Sequence, residues 1–211
     1  MSAGAFITFE GIDGCGKSTQ LRLAEDALRR DGVDVMVTRE PGGTAISEKI
    51  RELVMSAVHA EMSVECELLL YLAARAQHVS QCIRPAVESG RVVLCDRFQD
   101  ATFAYQGYGR GLALEQLRAM NTFATGGLEP TLTLVFDVDV ELSRERLRES
   151  GKVPDRMEAG PSAFHRRIRE GYLALARQHA DRMMVLRGDR PVEQIAQEVR
   201  RAIAQRLEER R

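Results

Sequence analysis

Cysteine is scarce in this sequence, and its spacing excludes the common cysteine-based motifs. The four cysteines, Cys15, Cys66, Cys82 and Cys95, include no C-x-x-C pair, and the four histidines are scattered. Zinc sites and redox motifs depend on such close spacing, so we expect free structural thiols instead. Thiols of that kind are typical of a reducing compartment, and we therefore predict a cytoplasmic protein.

An excess of charge and a long apolar run are missing as well. The chain has 30 basic and 31 acidic side chains, a net charge of −1, which gives no general attraction to nucleic acid or anionic lipid. No apolar run approaches the roughly 18 residues that cross a bilayer. The opening MSAGAFITFE has no basic region and reaches Glu10 too early for a signal peptide. We expect neither a nucleic-acid partner nor a membrane partner.

The sequence does contain a regular alternation of short β-branched runs and amphipathic stretches. The runs that predict buried strands are 5–10, 33–40, 91–96, 131–139 and 182–187. The stretches that predict helices are 18–30, 62–89 with a break near Pro85, 113–125, 140–149, 162–180 and 192–209. This alternation favours an α/β fold, a five-stranded parallel sheet flanked by helices. With no repeat or linker, we expect a single domain over residues 1–211.

A phosphate-binding motif follows the first of these runs. Residues 11–18, GIDGCGKS, fit the pattern G-x-x-x-x-G-K-S, between a predicted strand and a predicted helix. Backbone N–H groups of such a loop surround phosphates, its lysine reaches further phosphates, and its serine can bind Mg²⁺. We expect ATP and Mg²⁺ as cofactors. The expected ATP-binding residues of the loop are Gly11, Ile12, Asp13, Gly14, Cys15, Gly16, Lys17, Ser18 and Thr19.

Other features separate the classes of P-loop protein. A GTP switch needs N-K-x-D, but the single asparagine, Asn121, is followed by Thr-Phe-Ala. A motor or helicase is usually longer. The third predicted strand ends in Asp96-Arg97, and an aspartate there can orient Mg²⁺ while the arginine neutralises donor and acceptor phosphates together. This combination indicates a small kinase.

Several segments, taken together, resemble the thymidylate kinase family over nearly the whole chain. They are FEGIDGCGKST (9–19), TREPGGT (38–44), LYLAAR (70–75), DRFQDATFAYQG (96–107) and DRME (155–158). The resemblance implies the nucleoside-monophosphate-kinase variant of the P-loop NTPase fold, with a lid. It implies transfer of the γ-phosphoryl of ATP to dTMP, giving dTDP for dTTP synthesis, by a homodimer. The alternatives are another pyrimidine nucleoside-monophosphate or deoxynucleoside kinase, and a non-catalytic P-loop protein.

The resemblance also implies which residues bind the acceptor nucleotide. Tyr71 would stack on thymine, Arg75 would donate to the thymine O4, and Tyr105 would crowd a ribose 2′-OH. Tyr71 and Arg75 are four residues apart, so they share one helix face. The other acceptor-binding residues that we expect are Arg39, Glu40, Pro41, Arg51, Leu53, Arg97, Thr102 and Gln106.

A lid is expected at about residues 147–164. Family members with an arginine inside the P-loop differ from this chain, which has Gly14 and Cys15 there. The resemblance is therefore to the bacterial type, whose catalytic cation comes from the lid. We expect Arg156 in that role, with Arg148 and Lys152 as further ATP contacts. The candidate metal ligands are Ser18, Asp96, Asp155 and Glu158.

Two acids, Glu10 and Asp13, stand beside and inside the expected phosphate cradle. A buried carboxylate needs a partner. The family resemblance offers one for Asp13, the 3′-OH of the dTMP sugar, bound directly or through a metal-bound water. Asp13 would then position the acceptor for in-line attack. The expected catalytic residues are thus Asp13, Lys17, Arg97 and Arg156.

Overall fold

The computed structural model describes residues 4–151 and 155–209, and its core is one parallel five-stranded sheet. The strand order is β2-β3-β1-β4-β5. This confirms the predicted α/β sheet. The strands are β1 (Ala5–Glu10), β2 (Val35–Arg39), β3 (Val92–Asp96), β4 (Leu132–Asp137) and β5 (Met183–Arg187).

The central strand β1 determines where the functional edge of the sheet lies. All six of its residues are buried, because helices cover both faces of a parallel sheet. Ile7 pairs with Leu94 of β3 and with Leu132 of β4. In the same register Phe9 pairs with Asp96. The loops that follow β1 and β3 therefore emerge side by side at the carboxyl edge, where ligands bind in sheets of this kind.

Helices connect the strands and cover the sheet, as the alternating pattern predicted. Thr44 caps the helix Ala45–Met55 by accepting a hydrogen bond of 3.1 Å from the Ser47 amide. No described helix is long and apolar enough to cross a membrane. The helices are α1 (Lys17–Arg30), α2 (Ala45–Met55), α3 (Val64–His78), α4 (Arg84–Glu88), α5 (Gln99–Thr102), α6 (Leu114–Thr125), α7 (Val140–Glu149), α8 (Ser162–Gln178) and α9 (Val192–Glu208).

The predicted break near Pro85 is instead a wider helical turn. A π-helical segment, Val79–Ile83, joins α3 to α4, and the Arg84 amide bonds to the Val79 carbonyl. The wider turn accommodates Pro85, which has no N–H for an ordinary helical bond. A second π-helical segment, Phe103–Gly109, continues α5. The sequence analysis recognised this region only as a motif, because a wider turn has no distinct apolar period.

A buried ion pair ties the end of α5 to the sheet. Arg182 donates two hydrogen bonds to Asp100, at 2.8 and 2.9 Å, and Thr133 donates one to the same carboxylate at 3.1 Å. Asp100 is fully buried and the Arg182 side chain is 10% exposed. Two charges so enclosed depend on each other, since neither has water as an alternative partner.

We predict that Arg182→Met destabilises the fold by about 3–5 kcal/mol, because Asp100 would remain buried without its cation. Urea unfolding monitored by circular dichroism measures the change. Arg22→Met is the matched control, since the Arg22 and Asp26 side chains are 66% and 54% exposed and such surface pairs contribute little. Equal unfolding midpoints for the two variants would contradict the prediction.

Candidate active site

The phosphate-binding loop has the backbone geometry that its sequence predicts. Gly11, Gly14 and Gly16 have φ of +137°, +77° and +96°, values that residues with a Cβ rarely adopt. Gly14 also needs its small size, because an added Cβ would lie 2.5 Å from the Ser143 carbonyl on α7. The loop leads directly into the N-terminus of α1, where free amides and the helix dipole favour an anion.

Lys17 and Asp13 face each other across this loop. The Lys17 ammonium donates to the Ile12 carbonyl at 3.3 Å and lies 3.6 Å from the Asp13 carboxylate. The Lys17 side chain is only 6% exposed. On the outer side, the Ser143 hydroxyl donates to the Asp13 carbonyl at 2.5 Å. Contacts on both sides, from Lys17 and from Ser143, therefore hold the loop in place.

Arg97 fastens the end of β3 to the same loop. It donates to the Gly11 carbonyl at 2.9 Å and to the Asp13 carboxylate at 2.5 Å, and its guanidinium lies 5.0 Å from the centre of the Tyr105 ring. Tyr105 in turn donates to Asp13 at 3.1 Å. The backbone φ of Arg97 is +69°, a strained value for a non-glycine residue that often marks a functional position.

These contacts keep Asp13 ionised. Burial alone would raise its pKa, but the neighbouring charges of Arg97 and Lys17 outweigh burial and hold the pKa below its ordinary value. A carboxylate inside an anion cradle is therefore compatible with phosphate binding, since it orients two cations that would otherwise repel each other.

Ser18 and Asp96 form the part of the site that suits a metal ion. The Ser18 hydroxyl donates to Asp96 Oδ2 at 3.2 Å. Asp96 Oδ1 is buried and has no hydrogen-bond partner among the described residues. A hydroxyl beside an unsatisfied carboxylate oxygen matches the oxygen ligands and bound waters that Mg²⁺ prefers.

The other two candidate metal ligands are arranged differently. Asp155 accepts hydrogen bonds from the Met157 and Glu158 amides, and Glu158 accepts one from the Asp155 amide. Both line the cleft, but across residues 4–151 and 155–209 no three acidic, histidine or cysteine side chains gather as a metal cluster. Ser18 and Asp96 contact each other directly, whereas the roles of Asp155 and Glu158 as metal ligands stay predictions.

Tyr71, Thr102 and Gln106 line the part of the cleft where the sequence predicts the acceptor, called the acceptor half below. This part is built around the buried Arg75. It donates to Glu40 at 2.7 Å, to Thr102 and Asn121 at 2.7 Å each, and to the Phe98 carbonyl at 3.0 Å. The side chain is 2% exposed. These four partners come from three parts of the chain, so the guanidinium is held in one orientation.

Most of the predicted acceptor residues surround the same cleft, whose volume is about 680 Å³. Leu53 is the exception, because its side chain is 48% exposed on α2. Met55 lines the cleft instead and accepts a hydrogen bond from the Tyr71 hydroxyl at 3.6 Å. Side chains two residues apart on a helix, such as those of Leu53 and Met55, point to nearly opposite sides. The lining residues predicted for the acceptor are Arg39, Glu40, Pro41, Arg51, Tyr71, Arg75, Arg97, Thr102, Tyr105 and Gln106.

Two of the predicted lid cations, Arg148 and Arg156, belong to the described part of the chain, and neither lines the cleft. Arg156 contacts Glu67 at 2.7 Å and the Val54 carbonyl at 3.0 Å, which places it behind the acceptor half of the cleft. Arg148 is exposed on α7. Lys152 falls outside the described residues. The expectation that Arg156 covers the ATP phosphates therefore does not match this structure.

Two other arginines, which the sequence analysis missed, line the part of the cleft beside the phosphate loop, called the donor half below because the donor is predicted there. Arg146 donates to the Gly188 carbonyl at 3.0 Å, and Arg190 pairs with Glu198 at 2.6 Å. The available signal was helical periodicity, since Arg146 follows Ser143 by three residues and thus shares its face. That signal has meaning only once α7 is known to pack on the P-loop.

A phosphate cradle, an Asp-Arg pair on the neighbouring strand and an enclosed acceptor half in one cleft define a P-loop nucleoside monophosphate kinase. The thymidylate kinase family model matches residues 9–199. This chain belongs to the thymidylate kinase family.

Individual relatives agree with this membership over almost the full chain. A thymidylate kinase of Exiguobacterium sp. is 46% identical over 207 residues, covering 98% of this chain and 97% of the relative. One from Desulfovibrio desulfuricans is 48% identical over 204 residues, covering 94% of each. The crystal structure of thymidylate kinase from Ehrlichia chaffeensis superposes with a TM-score of 0.75 at 32% identity, covering 95% of this chain and 99% of that one.

We predict that Arg146→Ala raises the KM for ATP about tenfold, the effect of losing one charged contact. Steady-state kinetics with varied ATP measures the change. Arg148→Ala, two positions along the same helix and exposed, is the matched control and should change the KM for ATP less than twofold. If Arg148→Ala has the larger effect, the placement of the donor nucleotide against Arg146 is wrong.

Proposed function

We propose that this protein phosphorylates dTMP to dTDP with the γ-phosphoryl group of ATP. The observation that carries the proposal is the position of Arg97. It lies between the phosphate loop, which it contacts at Gly11 and Asp13, and the acceptor half of the cleft, which it also lines. A cation at that point can neutralise both phosphates as they approach.

The donor nucleotide would lie along the P-loop. The loop amides and Lys17 would hold the β- and γ-phosphates. Ser18 and Asp96 would hold Mg²⁺, which would neutralise part of the phosphate charge when bound. Gly188 approaches the loop so closely that an added Cβ would lie 2.9 Å from the Cys15 carbonyl. The family resemblance puts the adenine at this segment, next to Arg146.

The acceptor base would lie between Tyr71 and the fixed guanidinium of Arg75. The four contacts of Arg75 use its Nε hydrogen, both Nη1 hydrogens and one Nη2 hydrogen. One Nη2 hydrogen remains, and it can donate to a carbonyl such as the thymine O4. Tyr105, held by Asp13, would stand beside the sugar and disfavour a ribose 2′-OH.

The chemical step needs orientation and charge neutralisation more than proton transfer. A phosphate oxygen of dTMP attacks the γ-phosphorus, the bond from that phosphorus to the β–γ bridging oxygen breaks, and ADP leaves with the electron pair. Lys17 and Arg97 stabilise the charge that moves between the two nucleotides. Asp13 already accepts from Arg97 and Tyr105, and its carboxylate has lone pairs left for the sugar 3′-OH.

Arg156 has a supporting part in this proposal. With Arg110 and Gln106 it surrounds the buried Glu67, at 2.7, 3.0 and 2.8 Å respectively. The contact between Arg156 and the Val54 carbonyl joins this group to α2. We therefore assign Arg156 to the wall of the acceptor half, while Lys17 and Arg97 are the catalytic cations.

We further propose a homodimer formed through α2, α3 and α6. These neighbouring helices expose large apolar side chains, which soluble monomers rarely gather on one surface. A second copy of the chain would cover them through an isologous contact. The exposed side chains are Ile46, Leu53, Leu69 and Phe123. All four cysteines are free thiols, which fits the cytoplasmic location that we propose.

We predict that dTMP is the best acceptor, that dUMP is weaker and that UMP is poor. Loss of the 5-methyl group weakens transition-state binding by only about 1–3 kcal/mol, so dUMP keeps some activity. The 2′-hydroxyl of UMP would meet Tyr105. A coupled assay for ADP with ATP and Mg²⁺ measures kcat/KM for each acceptor. Lys17→Ala serves as the blank, expected to lose about 10²–10³-fold in kcat. Equal kcat/KM for UMP and dTMP would favour a pyrimidine ribonucleotide kinase instead.

We predict that Phe123→Ser shifts the protein from dimer to monomer, because the Phe123 side chain is 91% exposed in the single chain and would anchor the contact. Sedimentation equilibrium measures the mass. Met184→Ser on the edge strand β5, which exposes 37% of that residue, is the control and should keep the dimer. A monomeric wild type would disprove the proposed assembly.

A further inference from the structure

The acid that precedes the phosphate loop, Glu10, has no part in the mechanism above. It is fully buried at the end of β1. The Phe98 amide donates to its Oε1 at 2.7 Å, and the Tyr172 hydroxyl donates to its Oε2 at 2.7 Å. Arg97 then donates to the same Tyr172 hydroxyl at 3.2 Å. A hydrogen-bonded chain thus runs from Glu10 through Tyr172 to Arg97.

The direction of each hydrogen bond decides how Glu10 and Tyr172 affect Arg97. The tyrosine hydroxyl has one hydrogen, which it gives to Glu10, and its lone pairs then face the Arg97 guanidinium. Arg97 Nη1 is shared between Tyr172 and the Gly11 carbonyl, while Nη2 contacts Asp13. These partners take three of the five guanidinium hydrogens, so the Nε hydrogen and one Nη2 hydrogen remain for a phosphate.

We propose that Glu10 and Tyr172 are a positioning pair that holds the Arg97 guanidinium in its reactive orientation. Neither residue lines the cleft, so they act through Arg97 and do not touch the nucleotides. This inference rests on the proposed role of Arg97. It also gives α8, which carries Tyr172 and follows the predicted lid segment, a direct contact with a catalytic cation.

The pair is sensitive to the protonation of Glu10. The titratable and charged groups around Glu10 are Asp100, Arg97, Tyr172 and the buried Cys95 thiol, and the Phe98 amide donates to it. Burial, and then the negative charge of Asp100, raise the pKa of Glu10 to about 8. A protonated Glu10 would donate to Tyr172 and turn the tyrosine hydrogen toward Arg97, which has no acceptor. Deprotonation restores the alignment, so activity should increase as the pH rises through about 8.

Tyr172→Phe tests the pair because it removes only the hydroxyl. Above about pH 9, where Glu10 is ionised because its pKa is about 8, we expect kcat to fall about tenfold, as for loss of one hydrogen bond to a charged group, with the KM for dTMP changed less than twofold. Tyr108→Phe is the matched control and should keep wild-type kinetics, since Tyr108 packs against Gly171 of the same helix α8. Thermal unfolding of both variants confirms that they are folded.

The double variant separates this inference from the proposed role of Arg97. If Tyr172 acts through Arg97, adding Tyr172→Phe to Arg97→Ala should change kcat less than twofold. A full additional tenfold loss would overturn the positioning role while leaving Arg97 catalytic. If Arg97→Ala alone keeps normal kcat, the proposed role of Arg97 fails, and the inference fails with it.

A pH profile provides the second readout. Glu10→Gln cannot titrate, so the rise of kcat through about pH 8, expected in the wild type from the raised Glu10 pKa, should disappear. Tyr172→Phe should flatten the same limb, whereas Tyr108→Phe should retain it. The proposal would be disproved if kcat of Glu10→Gln still rose through about pH 8 as in the wild type. An unchanged kcat in folded Tyr172→Phe would disprove it as well.

Discussion

The contact between Asp13 and Arg97 is the interaction on which the rest of the site depends. Its two atoms are 2.5 Å apart, and the side chains are 23% and 16% exposed. It joins the loop after β1 to the residue after β3, which the strand register has already brought side by side. Because the carboxylate stays ionised beside two cations, Lys17 and Arg97 can occupy one small space without repelling each other apart.

Similar pairing extends through the acceptor half of the cleft. Glu40 is shared by Arg75 and His78, at 2.7 and 3.1 Å, and Glu67 is surrounded by Arg110 and Arg156. Breaking one partner of such a buried pair is costly, so each pair holds its neighbours in one arrangement. A pocket built this way is ordered before the nucleotide arrives, and binding then needs little further ordering of side chains.

Strands and the phosphate loop could be predicted from the sequence because their signals are local. The spacing of the glycines in GIDGCGKS predicts the backbone conformation of the loop. A β-branched run such as RVVLCD indicates a buried strand by itself. The segment Phe103–Gly109 gave no comparable signal, since a π-helical turn depends on its packing against α8. Leu53 was predicted to face the acceptor, but the rotation of α2 turns Met55 inward instead.

The sequence by itself determined the fold class, the phosphate-binding loop, the Asp96-Arg97 pair and, through the family resemblance, most of the side chains that the structure brings together around one cleft. Only the tertiary structure decided which arginines line the cleft beside the phosphate loop, Arg146 and Arg190 rather than Arg148 or Arg156. The physical reason is that motif spacing constrains neighbouring residues, whereas the direction of a long cationic side chain depends on the buried partner it finds. For Arg156 that partner is Glu67, which lies far away in the sequence. For Arg97 the partners include Tyr172, 75 positions later.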